Sequence, residues 1–429
     1  MHVAILGNGV TGVSAALRLR ARRPDWRITL VSGESTHHYS RPALMYVFMG
    51  HMRYQDVKPF EDSFWGEQRL ELVRAWVTRI DLERKRLELH GKPPLSYDRL
   101  LLATGSKPNR FGWPGQDLAG VQGLWGLADL KALTEACARA RAAVIVGGGL
   151  IGVELGEMLR SRGLEVTFLV REGSYWSNVL PREESLLVER ELGRHGVALR
   201  RATQLRAIED DGTGRAGAVV TDAGERLPCQ IVGLTAGVSP NLDVVRDTAL
   251  RCGRGILVDR QLRTSASDVF AAGDCAEIEL PGGERLVQQV WYTGKRQGEL
   301  AAENLAGGAR AYDPGIWFNS AKFFDLEYQV YGRVNQSVPG EASLYWEHAG
   351  GRQSLRLVHV GGTVIGVNLM GLRARHQVCE RWIAEERTLA HVLPRLSEAS
   401  FEPELFARHE GEIAAAFGCH PSGEREGAA

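Results

Sequence analysis

The sequence lacks what would direct it to a membrane, a nucleic acid or a disulfide scaffold. No apolar run approaches the roughly 18 residues that mark a bilayer-spanning helix. A strand pattern is under way by Val3, so no secretory leader is expected, and the expected location is cytoplasmic. The 52 basic and 52 acidic side chains cancel to a formal net charge of +0. No overall positive field therefore draws the chain to nucleic acid or anionic lipid. The one dense basic tract, Arg18, Arg20, Arg22 and Arg23, is expected to form a solvated helix face. Cysteine is scarce, with six in 429 residues. None forms CxxC, the spacings suggest no metal site, and wide separation reads as reduced thiols. None occurs before Cys137.

Glycine, by contrast, is abundant: 50 residues, above the roughly 7% average, many of them in tight clusters between apolar runs. In HVAILGNGVTGVSAALRLRAR, Val3 to Leu6 reads as a buried parallel strand. Gly7, Gly9 and Gly12 follow as GxGxxG, and Val13, Ala16 and Leu17 then recur at helical spacing. Pro24 and Asp25 stop the helix, Arg27 to Val31 reads as a second strand, and Glu34 stands just beyond it. Each part has a reason. Gly7 permits a tight turn, Gly9 lets backbone approach a pyrophosphate, and Gly12 lets helix and strand pack. The helix N-terminus offers free N–H groups and a positive dipole to phosphates, and Glu34 is spaced to accept ribose hydroxyls.

The pattern repeats in AVIVGGGLIGVELGEML. Val144 to Val146 is the strand, Gly147, Gly149 and Gly152 form the second GxGxxG, and Glu165 to Val170 reads as the following strand. Two such units imply two dinucleotides, and a flavin with a nicotinamide is the natural pair because hydride passes readily between them. The competing reading is a duplicated fold with one dead site.

These segments resemble the two-dinucleotide-binding-domain flavoproteins of the pyridine nucleotide–disulfide oxidoreductase superfamily. LLATGSKP, with Thr104 and Gly105, resembles its ATG motif, and LTAGVSPN, with Gly237, the motif on returning from the nicotinamide domain. TSASDVFAAGDCAE resembles the second FAD motif, in which Gly273 turns the chain and Asp274 would bond the ribityl chain. On its own, Asp274 also reads as a helix N-cap. QQVWYTGKRQG, containing Trp291, is similar to the segment whose backbone meets the flavin pyrimidine. The resemblance implies an α/β fold of two Rossmann-like dinucleotide-binding domains plus a C-terminal α/β domain. The FAD domain, 1–111 and 239–310, would be interrupted by a nicotinamide domain, 112–238. The C-terminal domain would span 311–419 and shape a homodimer interface and the acceptor side, with 420–429 a frayed tail.

The disulfide-reducing branches carry a redox cysteine on the helix beginning near residue 40, which here reads YSRPALMYVFMG. A thiolate must contact the flavin to act, and Cys275, beside Asp274, is expected to be a packed structural thiol. The stretch instead resembles the YxRPxL segment of ferredoxin, rubredoxin and nitrite reductase flavoproteins and of apoptosis-inducing-factor-like proteins, which pass electrons onward without a cysteine relay. Arg41 would then lie near the FAD phosphates. Many relatives continue RPxLSK, with the lysine paired to a glutamate. Met45 and Tyr46 replace Ser-Lys here, while Glu154 keeps the glutamate position. Tyr46 is open to two readings, shielding the flavin or packing, and so are Trp317 and Phe318, at the start of the C-terminal domain.

The end of the second nicotinamide-side strand, Val170-Arg171-Glu172, points both ways. Arginine there suits the 2′-phosphate of NADPH, and an acid suits the ribose hydroxyls of NADH; Glu172 fits the spacing and tips the reading towards NADH. The function implied is an FAD-dependent NAD(P)H oxidoreductase, in which positioning does most of the work. Its electrons would go to an acceptor such as a small iron–sulfur protein or a partner enzyme. The rival reading is an NAD(P)H-sensing flavoprotein with slow turnover.

Overall fold

A computed structural model describes residues 1–401 and 407–419; the tail expected at 420–429 lies outside the described residues. The chain forms two compact units, Met1–Arg139 with Gly233–Pro314, and Ala140–Val232 with the chain from Gly315 on.

In the first unit five parallel strands lie in the order Val269–Ala271, Arg99–Leu102, His2–Leu6, Arg27–Ser32, Leu70–Arg74. The first four strands are short, largely apolar and largely buried, as a parallel sheet requires, whereas the edge strand Leu70–Arg74 exposes Glu71 and Arg74. Val3, Ala4, Ile5, Ile28, Val31, Leu100 and Leu101 are fully buried in one core. Helices Val10–Arg22 and Trp291–Leu305 pack together closely because Gly298 has no side chain; a Cβ there would stand 2.3 Å from the Thr11 carbonyl oxygen. A three-stranded antiparallel sheet, Val77–Asp81, Arg86–Leu89 and Lys92–Ser96, lies in the same unit.

The basic tract meets the expectation at exposed Arg18, Arg22 and Arg23 and departs from it at Arg20. Arg20 is buried, and its guanidinium donates to the carbonyls of Gln68 (2.8 Å), Pro24 (2.9 Å), Trp26 (2.8 Å) and Arg69 (2.6 Å). Arg18 and Arg22 reach the buried carboxylate of Glu303, and Arg23 the Ala306 carbonyl. A guanidinium has five donors in a rigid fork, so carbonyls at a chain corner can satisfy it without water.

In the second unit, Val197–Arg200, Glu165–Leu169 and Ala142–Val146 are parallel neighbours. Helix Leu150–Ser161 follows the last of these, its Gly156 seated against the Phe168 ring. The C-terminal part is a five-stranded, wholly antiparallel sheet in the order Phe318–Phe323, Leu326–Gly332, Thr363–Met370, Ser354–Val360, Glu341–Glu347. Its core gathers Tyr331, Leu357, Val364, Val367 and Trp382, with helix His376–Ala384 contributing Cys379 and Trp382. Phe318 packs here, its ring 5.1 Å from that of Tyr331 and 4.3 Å from that of His376. A buried ion pair ties this sheet to helix Arg182–Arg194. Arg356 Nε donates to Glu184 Oε1 at 2.7 Å, and Asn368 Nδ2 donates to the same oxygen at 3.1 Å.

Candidate functional site

The first glycine turn is built as its spacing requires. Gly7 has φ +114°, a conformation that costs glycine little. A Cβ there would meet the Ala103 carbonyl oxygen at 2.1 Å, and one on Gly12 would meet that of Gly7 at 2.0 Å. Gly9 differs: nothing lies within 4 Å of where its Cβ would be, so a side chain there would project into open space. Gly9 also caps helix Val10–Arg22 without a side-chain bond. The first-turn N–H groups, which have no intrahelical acceptors, are left for an anion. The space beyond is a cavity of about 470 Å³, lined by Gly9, Glu34, Arg41, Thr104, Asp274 and Trp291 among others.

The two charged residues expected at opposite tasks are held together. Arg41 forms an ion pair with Glu34, donates to the Trp125 carbonyl at 2.5 Å, and lies over the Trp125 ring, 4.5 Å from its centroid. Glu34 Oε1 also accepts from the Tyr39 hydroxyl (2.5 Å) and the Leu127 N–H (3.0 Å). Tyr39 is next to the RP dipeptide and legible in YSRP. Trp125 and Leu127 lie more than 80 residues away, and nothing in their spacing announces them.

Asp274 is half-buried in a 3₁₀ turn, Gly273–Cys275. It is not an N-cap: that position falls to Ala272, with no side-chain bond, because the turn begins at Gly273. Its carboxylate instead accepts from Ser106 Oγ at 2.7 Å, while burial raises its pKa. Gly273, at φ +78°, would drive a Cβ to 2.3 Å from Thr11 Oγ1. Thr104 Oγ1 donates to the Asn241 carbonyl at 2.8 Å, and the Gly105 carbonyl accepts from Asn241 N at 2.9 Å, so the two chain crossings are bonded together. Gly237, expected on the nicotinamide side, lies in the first unit, its carbonyl accepting from Asn109 N at 3.1 Å. Trp291 opens its helix, is 44% exposed and lines the cavity. Tyr46 is not among the lining residues. It sits on helix Leu44–Met49 with its ring 6.3 Å from that of His51, beside buried Met45. Cys275 is fully buried, its thiol donating to the carbonyls of Ala272 and Leu102 at 3.3 and 3.4 Å, and burial raises its pKa. A thiol so placed is inert packing.

The second turn copies the first. Gly147 has φ +116°, and Gly149 caps helix Leu150–Ser161 with no side-chain bond and nothing within 4 Å of its Cβ position. Gly152 is buried one turn on. At the strand end Val170 is buried, while exposed Arg171 donates from Nε to Glu172 Oε1 at 2.7 Å. The two residues that pointed to different nucleotides thus bind each other. Glu154 is half-buried on the second turn of the helix, and burial, reinforced by neighbouring Glu157, pushes its pKa up to about 7. Glu157 carries a 2.7 Å ion pair with Lys322 from the C-terminal sheet. Sequence reasoning did not include this lysine, because 165 residues separate the pair. Both open glycine cradles, each at an uncapped helix start, fit a dinucleotide pyrophosphate.

The profile described as pyridine nucleotide-disulphide oxidoreductase matches residues 1–302. The chain belongs to this family. It is 33% identical over 304 residues to the ferredoxin–NAD(+) reductase component of the biphenyl dioxygenase system of Paraburkholderia xenovorans, covering 71% of this chain and 74% of that one. It is 30% identical over 326 residues to rhodocoxin reductase of Rhodococcus erythropolis, covering 75% and 76%. Among solved structures, the ferredoxin reductase for the CYP199A2 system of Rhodopseudomonas palustris superposes with a TM-score of 0.81 at 25% identity, over 97% of this chain and 99% of that one. The protein is an FAD-dependent oxidoreductase that uses a nicotinamide nucleotide. Among the described residues, no helix is long and apolar enough to cross a membrane.

Proposed function

We propose that the chain reduces a small iron–sulfur or rubredoxin-type electron carrier in the cytoplasm, at the expense of NADH or NADPH. The observation that carries this reading is the pairing of two complete glycine cradles with a cysteine-free helix, Leu44–Met49. Bound FAD supplies a two-electron acceptor that can release electrons singly. The residues of 1–111 and 239–310 hold it. Gly7, Gly9 and Gly12 with the start of helix Val10–Arg22 take the pyrophosphate, and Glu34 and Arg41 order the ribose and phosphate side. Thr104 and Gly105 fix the crossing, and Gly273, Asp274 and the backbone at Trp291 receive the ribityl and ring portions. Gly147, Gly149, Gly152, Arg171 and Glu172, within 112–238, bind the nicotinamide nucleotide. Glu154, held near neutrality by its burial, sets the charge beside it. The segment 311–419 supplies the acceptor side.

The test is steady-state reduction of a ferredoxin and a rubredoxin by the flavin-loaded protein with each nucleotide. Rapid, saturable turnover with one of these carriers is expected. Flavin reduction without turnover on either carrier would refute the acceptor class and favour a sensing role.

A further inference from the structure

The outer wall of the flavin cavity carries an aromatic ring that no glycine or acid motif requires. Strand Leu70–Arg74 pairs with Arg27–Ser32, and the pairing runs one residue further, Ala75 N donating to the Ser32 carbonyl at 3.0 Å. Trp76 comes next. Its carbonyl accepts from His90 N at 2.8 Å, which fixes the backbone. Its indole lies on Gly33, where a Cβ would stand 2.2 Å from the ring. Gly33 has no left-handed φ to explain it; at this position the missing side chain makes room for the indole. Trp76 is nevertheless 61% exposed, although tryptophan is highly buried on average. The ring therefore rests by one side on Gly33 and leaves much of its surface uncovered.

Its neighbours give that surface a use. Gly33, Glu34, Trp76, Val77 and Thr78 line one cavity together. Thr78 is brought in by a register shift between Val77 and Arg79 against strand Arg86–Leu89. In a dinucleotide whose pyrophosphate sits on Gly9 and whose ribose reaches Glu34, the base lies one sugar further along that wall. We infer that Trp76 stacks on the adenine of FAD and so selects the dinucleotide over FMN, which has no adenine. This rests on the FAD assignment. Stacking suits the site because a purine presents a π-face to an indole, and a preformed ring on a fixed backbone loses little freedom on binding.

The test uses flavin-stripped full-length protein. Dissociation constants for FAD, ADP and FMN are measured by calorimetry and by flavin fluorescence on wild type, Trp76→Ala and Trp76→Phe. The exposed side chain makes both variants compatible with folding, and circular dichroism checks this. Trp76→Ala should weaken FAD and ADP about tenfold, the scale of one base–aromatic stack, and leave FMN unchanged. Trp76→Phe should recover most of the loss. Equal weakening of FAD and FMN would overturn the inference, since the residue would then act on the pocket as a whole. So would unchanged FAD binding in Trp76→Ala, which would leave the ring no part in binding, or tighter binding, which would place the ring where the base must lie. If wild type takes up neither FAD nor ADP, the cofactor assignment itself falls, and the inference with it.

Discussion

Replacing Glu154 by glutamine should stabilise the ligand-free protein above neutral pH and do little below pH 4.5. The carboxyl is pushed from 4.5 up to about 7 in the folded chain, chiefly by burial and further by Glu157. The folded state therefore holds this proton more tightly than the unfolded one does. Stability falls with pH wherever the folded state binds more protons, so Glu154 withdraws stability progressively between about pH 4.5 and pH 7 and leaves it low above. A shift of about 2.5 units corresponds to about 3.4 kcal/mol at 1.36 kcal/mol per unit, and water at the half-buried side chain reduces this to about 2 kcal/mol. Glu154→Gln removes the ionisation, so its urea midpoint should rise relative to wild type as pH goes from 4.5 to 8, with the difference levelling off near pH 8. A difference that stays flat across that range would refute the reasoning, as would one that grows towards acid pH.

Three further outcomes follow from the same structure. Gly9→Val should abolish FAD retention, seen as colourless purified protein with unchanged circular dichroism, because the side chain would fill the open cradle. Cys275→Ala should leave NAD(P)H-dependent flavin reduction within about twofold of wild type in stopped-flow measurements, since the thiol only packs. Arg356→Leu should destabilise the second unit by about 3–5 kcal/mol in chemical denaturation, the cost of stranding a buried charge, because Glu184 is fully buried.

The parallel strands and both glycine turns were legible because backbone sterics and hydrophobic pattern dictate them locally. Gly7 and Gly147 adopt nearly the same positive φ, +114° and +116°, which the repeated GxGxxG implies. Asp274 was also open to a reading as a cap, which fails because the residues after Gly273 form only a 3₁₀ turn; the Ser106 hydroxyl that it binds instead is 168 residues away. Arg20 was misread for a related reason. Its spacing on the helix is that of a surface residue, yet the chain corner at Gln68–Arg69 brings carbonyls over it. Lys322 and Glu157 meet only once the C-terminal sheet has folded against its neighbour in the same unit. Contacts of this kind depend on tertiary closure, which no local period encodes.

Electrons are expected to reach an acceptor without a cysteine relay, and the electron count of the enzyme checks this. Anaerobic titration of the FAD-loaded protein with NADH, or with NADPH if that is the nucleotide bound, should bleach the flavin completely at one equivalent per FAD, the two-electron capacity of the flavin alone. An end point at two equivalents would reveal a second two-electron centre in the chain and contradict the account.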